Sequence, residues 1–249
     1  MLEFYNGLSG NDSWSSTWDL YEGQTSSSKS EVLLRLPNSP LQFESCPDSD
    51  SDDCLTFMNL TKIGLVGDIP DGLSSLTELS TIILKNNEIE GFEDDLFEKN
   101  GKLEVIDLSF NNIRDYSGNF PSKLTSLDMS NNSLKMNISA VLKTLSDAES
   151  IEMLNLAGNK INGSIESDTD VLKRVSLKWM SIADNQIEGD LSATFDTIKD
   201  WSNLDISYNM FSGDFPDAFK NSEKINRQCN RFNCERYVRG PFVGCRFSL

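Results

Sequence analysis

The residues of this 249-residue chain that could do chemistry are few, and the absence of any histidine is the most informative fact about them. It removes the commonest general base and the commonest metal ligand. No G-x-S-x-G, P-loop, G-x-G-x-x-G or H-E-x-x-H motif occurs. Carboxylates are plentiful, and the spacing of Asp107 and Asp128 puts them on neighbouring strands, where a pair of acids could in principle hydrolyse a glycoside. On an open, shallow sheet nothing would desolvate or differentiate the two, so no catalytic residue is expected. The run Asp48-Ser-Asp-Ser-Asp-Asp53 offers oxygens to calcium but lacks the glycine and terminal glutamate of an EF-hand, and reads as a solvated loop. Neither a cofactor nor a metal is expected.

Thiols and asparagines carry the remaining chemistry. Cys46 and Cys54, near the N-terminus, have seven residues between them, and Cys229, Cys234 and Cys245 fall within the last 21 residues. Confinement to the two ends is the usage of an oxidised, stapled extracellular protein. The odd count leaves one thiol free or paired with another chain. Zinc on the terminal trio would need a carboxylate or water as fourth ligand. Five N-x-S/T sequons, at Asn11, Asn59, Asn131, Asn137 and Asn162, permit glycosylation. Chance would supply about four in a chain this rich in Asn, Ser and Thr, so they do not argue for secretion.

What positions these groups is a repeat. Leu103–Asn111 carries the spacing L-x-x-L-x-L-x-x-N, and the frame returns at Leu55–Ile63, Leu79–Asn87, Leu124–Asn132, Ile151–Asn159, Leu177–Asn185 and Trp201–Asn209. Recurrence at roughly two dozen residues identifies a leucine-rich repeat solenoid. In the central unit, strand alternation points Ile106 and Leu108 inward and Val105, Asp107 and Ser109 outward. No single unit can bury its apolar side alone, so the units stack into a parallel sheet over one continuous core. The asparagine that closes six of them should sit at the turn out of the sheet, donating and accepting for backbone groups left unpaired there. The first unit has Ile63 instead, and its turn is expected to be looser or held by a cap.

Beyond the turn, Leu65-Val-Gly-Asp-Ile69-Pro70 and Phe211-Ser-Gly-Asp-Phe215-Pro216, with Ile161-Asn-Gly-Ser-Ile165 and Ile187-Glu-Gly-Asp-Leu191 as incomplete versions, resemble the L-x-G-x-I-P signature of plant-type leucine-rich repeats. That family includes plant receptor ectodomains, polygalacturonase-inhibiting proteins and secreted protist proteins. The resemblance covers roughly residues 55–224. It implies an α/β solenoid: a right-handed curved coil with a concave parallel sheet, a second short strand and 3₁₀ or short helical turns on the convex side, and disulfide-stapled caps. It also implies a cap disulfide at Cys46–Cys54, with Cys229–Cys245 or Cys234–Cys245 at the other end. Units of 21, 27 and 26 residues, starting at Leu103, Leu124 and Ile151, depart from the pattern, and Val141–Ser146 and Val171–Val175 are expected to form true helical turns. The segment Phe4–Trp14 is similar to the opening of the family's N-terminal cap. Residues 1–54 are therefore assigned to that cap, 55–224 to seven repeats and 225–249 to a cysteine-containing C-terminal cap. A sugar-binding platform is the alternative for the cap aromatics Phe4, Tyr5, Trp14, Trp18 and Tyr21.

Strands in register turn outward positions into columns across the concave face. One runs Phe57, Thr81, Val105, Ser126, Met153, Trp179, Asn203; the next Asn59, Ile83, Asp107, Asp128, Asn155, Ser181, Asp205; an edge column Lys62, Asn86, Phe110, Asn131, Gly158, Asp184, Tyr208. An exposed Trp179 beside Met153, near Asp205 and Tyr208, is typical of an interface anchor. Phe57, Asp107, Phe110 and Asp128 complete the candidate contact set, and packing against a neighbouring strand is the plainer alternative for Trp179.

The net charge is −17, yet residues 220–249 carry seven basic side chains against two acidic ones, and residues 1–54 ten acidic against two basic. An acidic body repels phosphates and argues against nucleic acid. Oppositely charged ends favour head-to-tail contact, which can build a filament. No run approaches the roughly 18 to 20 apolar residues of a membrane span. After Met1 the chain enters Leu2-Glu-Phe-Tyr5 without a leader's basic and apolar regions, so it is either cytosolic or stripped of a leader. The sequence thus points to an extracellular or cell-surface module that recognises a protein, peptide or glycan through its concave face. The alternative is a structural subunit of a coat, filament or adhesin joined through its caps.

Overall fold

The structure, a computed structural model, describes residues 41–45, 53–165, 172, 175–191, 202–215 and 224–232. Among these, the inward aliphatic residues of successive units lie one above another, with Met58, Ile82, Ile106, Leu127, Leu154, Met180 and Leu204 fully or almost fully buried. Each belongs to a three- to seven-residue strand: β2 (Asp53–Asn59), β4 (Thr81–Ile83), β6 (Val105–Asp107), β7 (Ser126–Asp128), β8 (Met153–Asn155), β10 (Trp179–Ser181) and β12 (Asn203–Asp205). They pair in parallel with no slip in register, Thr81 to Val105 to Ser126 to Met153 to Trp179 to Asn203. The result is the concave sheet of a leucine-rich repeat solenoid.

Both ends of the sheet extend past the repeats read from sequence. Strand β1 (Leu41–Ser45) pairs antiparallel with β2 and covers the first edge. At the other end β14 (Ile225–Asn226) pairs in parallel with β12, one strand beyond the seventh unit. The chain leaves each strand, turns, and in several units enters a second short strand on the far side: β3 (Val66–Ile69) beside β5 (Glu88–Phe92), and β9 (Asn162–Ser164), β11 (Gln186–Asp190) and β13 (Met210–Ser212) in a second small sheet. Between these two sheets, bonds such as Arg114 N to Glu90 O and Lys135 N to Arg114 O continue the ladder without regular strands.

Glycines fit where this second ladder is tight. Gly163 has φ +85°, and a Cβ there would overlap the Asn137 carboxamide of the preceding unit. Behind the second ladder the described residues include a 3₁₀ turn at Asp71–Ser75 and a short helix, α1 (Ile138–Lys143), N-capped by Asn137, whose Oδ1 accepts from Ser139 N at 2.9 Å. The helix begins three residues before the expected Val141–Ser146, because Asn137 supplies the cap and its apolar residues Ile138, Val141 and Leu142 face the core. Most of the expected turn at 171–175 lies outside the described residues.

An aromatic spine fills the convex side where units two and three meet. Phe92 packs edge-on against Phe97 and stacks with Tyr116, and Tyr116 meets Phe120 edge-on, with centroids 5.0 to 5.7 Å apart. Burial pushes the Tyr116 phenol up to about 12, the hydroxyl of Thr144 opposing the shift slightly.

The turns are held as the closing asparagines require. Asn111 is buried; its Nδ2 donates to Leu84 O and Leu108 O at 3.0 Å, and its Oδ1 accepts Ile89 N at 3.1 Å. The first unit, lacking its own asparagine, is not loose. Asn87 Oδ1 accepts from Ile63, Gly64 and Leu65 N, and its Nδ2 donates to Leu60 O, so the next unit supplies the missing bonds.

Two outcomes are expected from this framework. Asn111→Ala leaves buried carbonyls and an amide without partners and should destabilise the stack by roughly 3 kcal/mol, read from the urea midpoint at unchanged slope. Between pH 10 and about 12 an unfolded tyrosine ionises while folded Tyr116 stays protonated, so stability falls as pH rises through that window. Tyr116→Phe should flatten this alkaline limb while changing neutral-pH stability little, because the Thr144 hydroxyl keeps its bond to Val141 O at 2.7 Å.

Candidate recognition surface

The three predicted columns form on the concave face, but their members do different jobs. In the first column Phe57, Thr81, Val105, Ser126, Met153 and Trp179 are half-buried and Asn203 is exposed. Trp179 is therefore not the fully exposed anchor that its position suggests: in-register neighbours Met153 and Asn203 flank it, and one part of the indole remains open. Ser126 Oγ donates to Met153 Sδ at 3.8 Å, so a small polar side chain and a thioether sit beside the indole.

In the second column the carboxylates brace the backbone. Asp107 Oδ1 accepts from Ser109 N at 2.9 Å and Ser109 Oγ at 2.6 Å. Asp128 Oδ1 takes Ser130 N, and its Oδ2 takes Asn155 Nδ2 from the neighbouring strand. Asp205 repeats both patterns, with Ser207 on one oxygen and Asn226 on the other. These Asx turns pull the following small residue inward, so Ser109, expected to point outward, is fully buried. Asp107 and Asp128 are adjacent in register, as expected, and each is already engaged by its own turn.

The edge column is the most exposed of the three. Lys62, Asn86, Phe110, Asn131, Asp184 and Tyr208 all have φ between +53° and +57°, and Gly158 has φ +68°. A left-handed backbone at the residue before the closing asparagine throws each of these side chains outward at the rim. Phe110 and Tyr208 are 46% and 57% exposed, and with Val66 they are the large apolar side chains left open among the described residues. Lys85 sits over the Phe110 ring at 5.3 Å. At the other end Tyr208 hydrogen-bonds Cys229. That bond, the charge Cys229 acquires on deprotonation, partial desolvation and nearby Asp184 together raise the phenol above its ordinary pKa.

The cysteines are resolved in part. Among the described residues Cys229 is a free, exposed thiol: it occupies the rim position of one more repeat turn, at φ +56°, and its side chain faces Tyr208. Cys54 is disulfide-bonded. Cys46, Cys234 and Cys245, and the sequon at Asn11, lie outside the described residues. Asn59, Asn137 and Asn162 are on strand or cap positions, and Asn131 is on the exposed rim. No described helix is long and apolar enough to cross a membrane.

Sequence inspection missed the turn that carries Cys229. Asn230 is buried, donates to Ile206 O at 2.9 Å and accepts Phe211 N at 3.1 Å, as the other ladder asparagines do. The inward leucine three residues earlier is replaced by Arg227, whose guanidinium lies 4.1 Å from the Phe215 ring centroid and whose pKa is lowered by burial. The spacing from Asn209 to Asn230, with Ile225 kept at the inward position that pairs with Leu204, could have revealed it; Arg227 in place of the second apolar key hid it.

Comparison with known proteins agrees with this geometry. Residues 77–134 and 201–222 match family descriptions of the leucine rich repeat. Toll-like receptor 6 of Mus musculus is 29% identical over 135 residues, which span 53% of this chain and 14% of the receptor. Among solved structures, a plant ice-binding protein superposes with a TM-score of 0.54 at 18% identity, over 93% of this chain and 77% of that one. The leucine-rich repeat ectodomain of the Arabidopsis thaliana membrane receptor kinase GASSHO1/SCHENGEN3, solved in complex with CASPARIAN STRIP INTEGRITY FACTOR 2, gives 0.50 at 20% identity over 67% of this chain and 20% of its own. The chain thus spans about a fifth or less of both receptors. With parallel strands in unbroken register, a closing asparagine in every described unit after the first and two matched segments, the chain carries leucine-rich repeats and folds as a leucine-rich repeat solenoid.

Proposed function

We propose that this chain is an extracellular or cell-surface recognition module, without catalytic activity of its own, that binds a protein, peptide or glycan ligand on the C-terminal half of its concave face. The observation that carries the reading is the open part of Trp179. The fold needs only a residue tolerant of a strand at that position, yet an indole stands there beside Met153, and Tyr208 is exposed on the adjoining rim. Aromatic and thioether side chains on an otherwise polar surface are the usual anchors of an interface. The disulfide at Cys54 supports an oxidising compartment, and we assign its partner as Cys46. Similarity to a receptor and to a receptor ectodomain with a bound protein factor supports binding as the use of this fold, and leaves the ligand to be found. Asp107, Asp128 and Asp205 contribute by holding the turns and tuning local charge, and Phe57 and Phe110 bound the same face toward the N-terminus.

A second reading, a structural subunit that assembles end to end, is favoured by the exposed Cys229 thiol close to the basic C-terminal segment. Light scattering of the native protein across salt, with and without reductant, separates the two. A constant monomer supports recognition, whereas oligomers that grow at low salt or dissolve on reduction support assembly.

The recognition reading is tested with a displayed peptide library and a glycan array probed with the wild-type chain, Trp179→Ala and, as a control off the sheet, Lys135→Ala. Ligands selected by the wild type should lose at least about tenfold affinity to Trp179→Ala, some 1.4 kcal/mol, and none to Lys135→Ala, with both variants melting as wild type. Retention of affinity by Trp179→Ala would remove the concave site at that point.

A further inference from the structure

The sequons, equivalent as sequence, are not equivalent as chemistry once folded. Asn59 sits in β2 on the concave face, half-buried, and its Oδ1 is held by the backbone and hydroxyl of its own Thr61 at 3.1 and 2.6 Å. A substituent on its nitrogen would lie across the sheet. Asn137 caps α1, and its carboxamide is pressed onto the glycine backbone of the following unit, as the overlap with any Cβ on Gly163 shows. Asn162 is half-buried in β9 between the bridge to Asn137 and the paired Gln186.

Asn131 differs from all three. Like Asn137 it is exposed, but it stands on the rim at φ +54°, a conformation that asparagine tolerates better than most residues, and caps no helix. Its backbone nitrogen is satisfied by Ala157 O at 2.8 Å. The next rim position is Gly158, where a Cβ would come within 2.9 Å of Asn131 Oδ1, so the missing side chain leaves a notch into which the carboxamide leans. The preceding rim position is Phe110, nearly half exposed and bonded to the same turn through Ser130 O. A first sugar on Asn131 would have the Gly158 backbone on one side and an aromatic ring on the other, with no side-chain hydrogen bond of Asn131 to break.

We infer that Asn131 is the N-glycan acceptor among the sequons of the described residues, and that the glycan covers the middle of the rim between Phe110 and Gly158. In the transfer, Asn131 Nδ2 attacks C1 of an oligosaccharide carried on a lipid diphosphate. The N–C1 bond forms, the C1–O bond to the diphosphate breaks, the nitrogen gives one proton to a base of the transferring enzyme, and the lipid diphosphate leaves. No oxidant or reductant is required. The occurrence of this modification in the source cell rests on the extracellular reading above. Its consequence is directional: a ligand would be steered away from the centre of the rim and toward Trp179 and Tyr208.

The test uses the full chain exported from a eukaryotic host behind an added leader peptide, so that every sequon meets the transferase whatever the natural destination. Glycans are removed by an amidase in ¹⁸O water, which marks each formerly glycosylated asparagine as heavy aspartate, and peptides are mapped by mass. The Asn131 peptide should be marked in most molecules and the Asn137 peptide in few or none. Ser133→Ala, which abolishes the acceptor motif without touching Asn131, should remove one oligosaccharide mass and leave the circular dichroism spectrum unchanged. An unmarked Asn131 in exported, folded protein overturns the inference, as does equal marking of Asn131 and Asn137. Recovery of the natural chain from cytosol would instead defeat the extracellular reading, leaving the host experiment to decide the acceptor.

Discussion

Each closing asparagine bridges two successive turns of chain, and the stack depends on that bridge. Its Nδ2 donates to a carbonyl of its own strand end and to the equivalent carbonyl one unit earlier, as Asn132 does to Met129 O and Leu108 O. Its Oδ1 accepts the amide that opens the earlier unit's second run, Ile113 N in the same case. These groups would otherwise be buried without partners at the point where the chain leaves the sheet, a cost of about 1 to 3 kcal/mol for each. No other side chain of that size combines two donors with an acceptor, which is why asparagine suits the position from Asn87 through to Asn230. The bond pattern also explains how the first unit dispenses with its own: the bridge reaches backward, so Asn87 serves the turn at Ile63.

The same turn determines the surface. To bring the asparagine inward, the residue before it adopts a left-handed backbone, and in the described units that residue is a lysine, aspartate, phenylalanine, tyrosine, cysteine or asparagine everywhere except at Gly158. Such a conformation costs on the order of 1 kcal/mol for a residue with a Cβ. The asparagine bridges offset the cost, and the gain is a rim of outward side chains that packing does not constrain. Identity there is free to vary, and it is where Phe110, Asn131 and Tyr208 are found.

One residue over, the carboxylates of the second column have less freedom than their exposure in the sequence suggested. Asp107, Asp128 and Asp205 each secure the small residue two positions on, and Asp128 and Asp205 also reach an asparagine on the next strand. A column of acids that looks like a binding site is thereby part of the sheet's own bracing. The first column is different: Val105, Met153 and Trp179 have no such internal role, and variation there changes what the face can bind more than whether it forms.

Sequence alone was enough for the repeat, the strand register and the core, because inward aliphatic residues recur in every unit and a closing asparagine in all but the first, and each has a local physical reason to be there. It also located Trp179, Met153, Phe110 and Tyr208 on one face, since register converts spacing directly into columns. What only the tertiary structure decided were contacts between units and the local geometry of the turns. Trp179 is half covered by its in-register neighbours, Ser109 is drawn inward by Asp107, Asn87 serves a turn that lacks its own asparagine, and Cys229 is a free thiol on an additional, degenerate turn closed by Asn230. Each of these depends on a contact about twenty or more residues away, or on a backbone angle the turn imposes, and neither is written in the identity of a single residue.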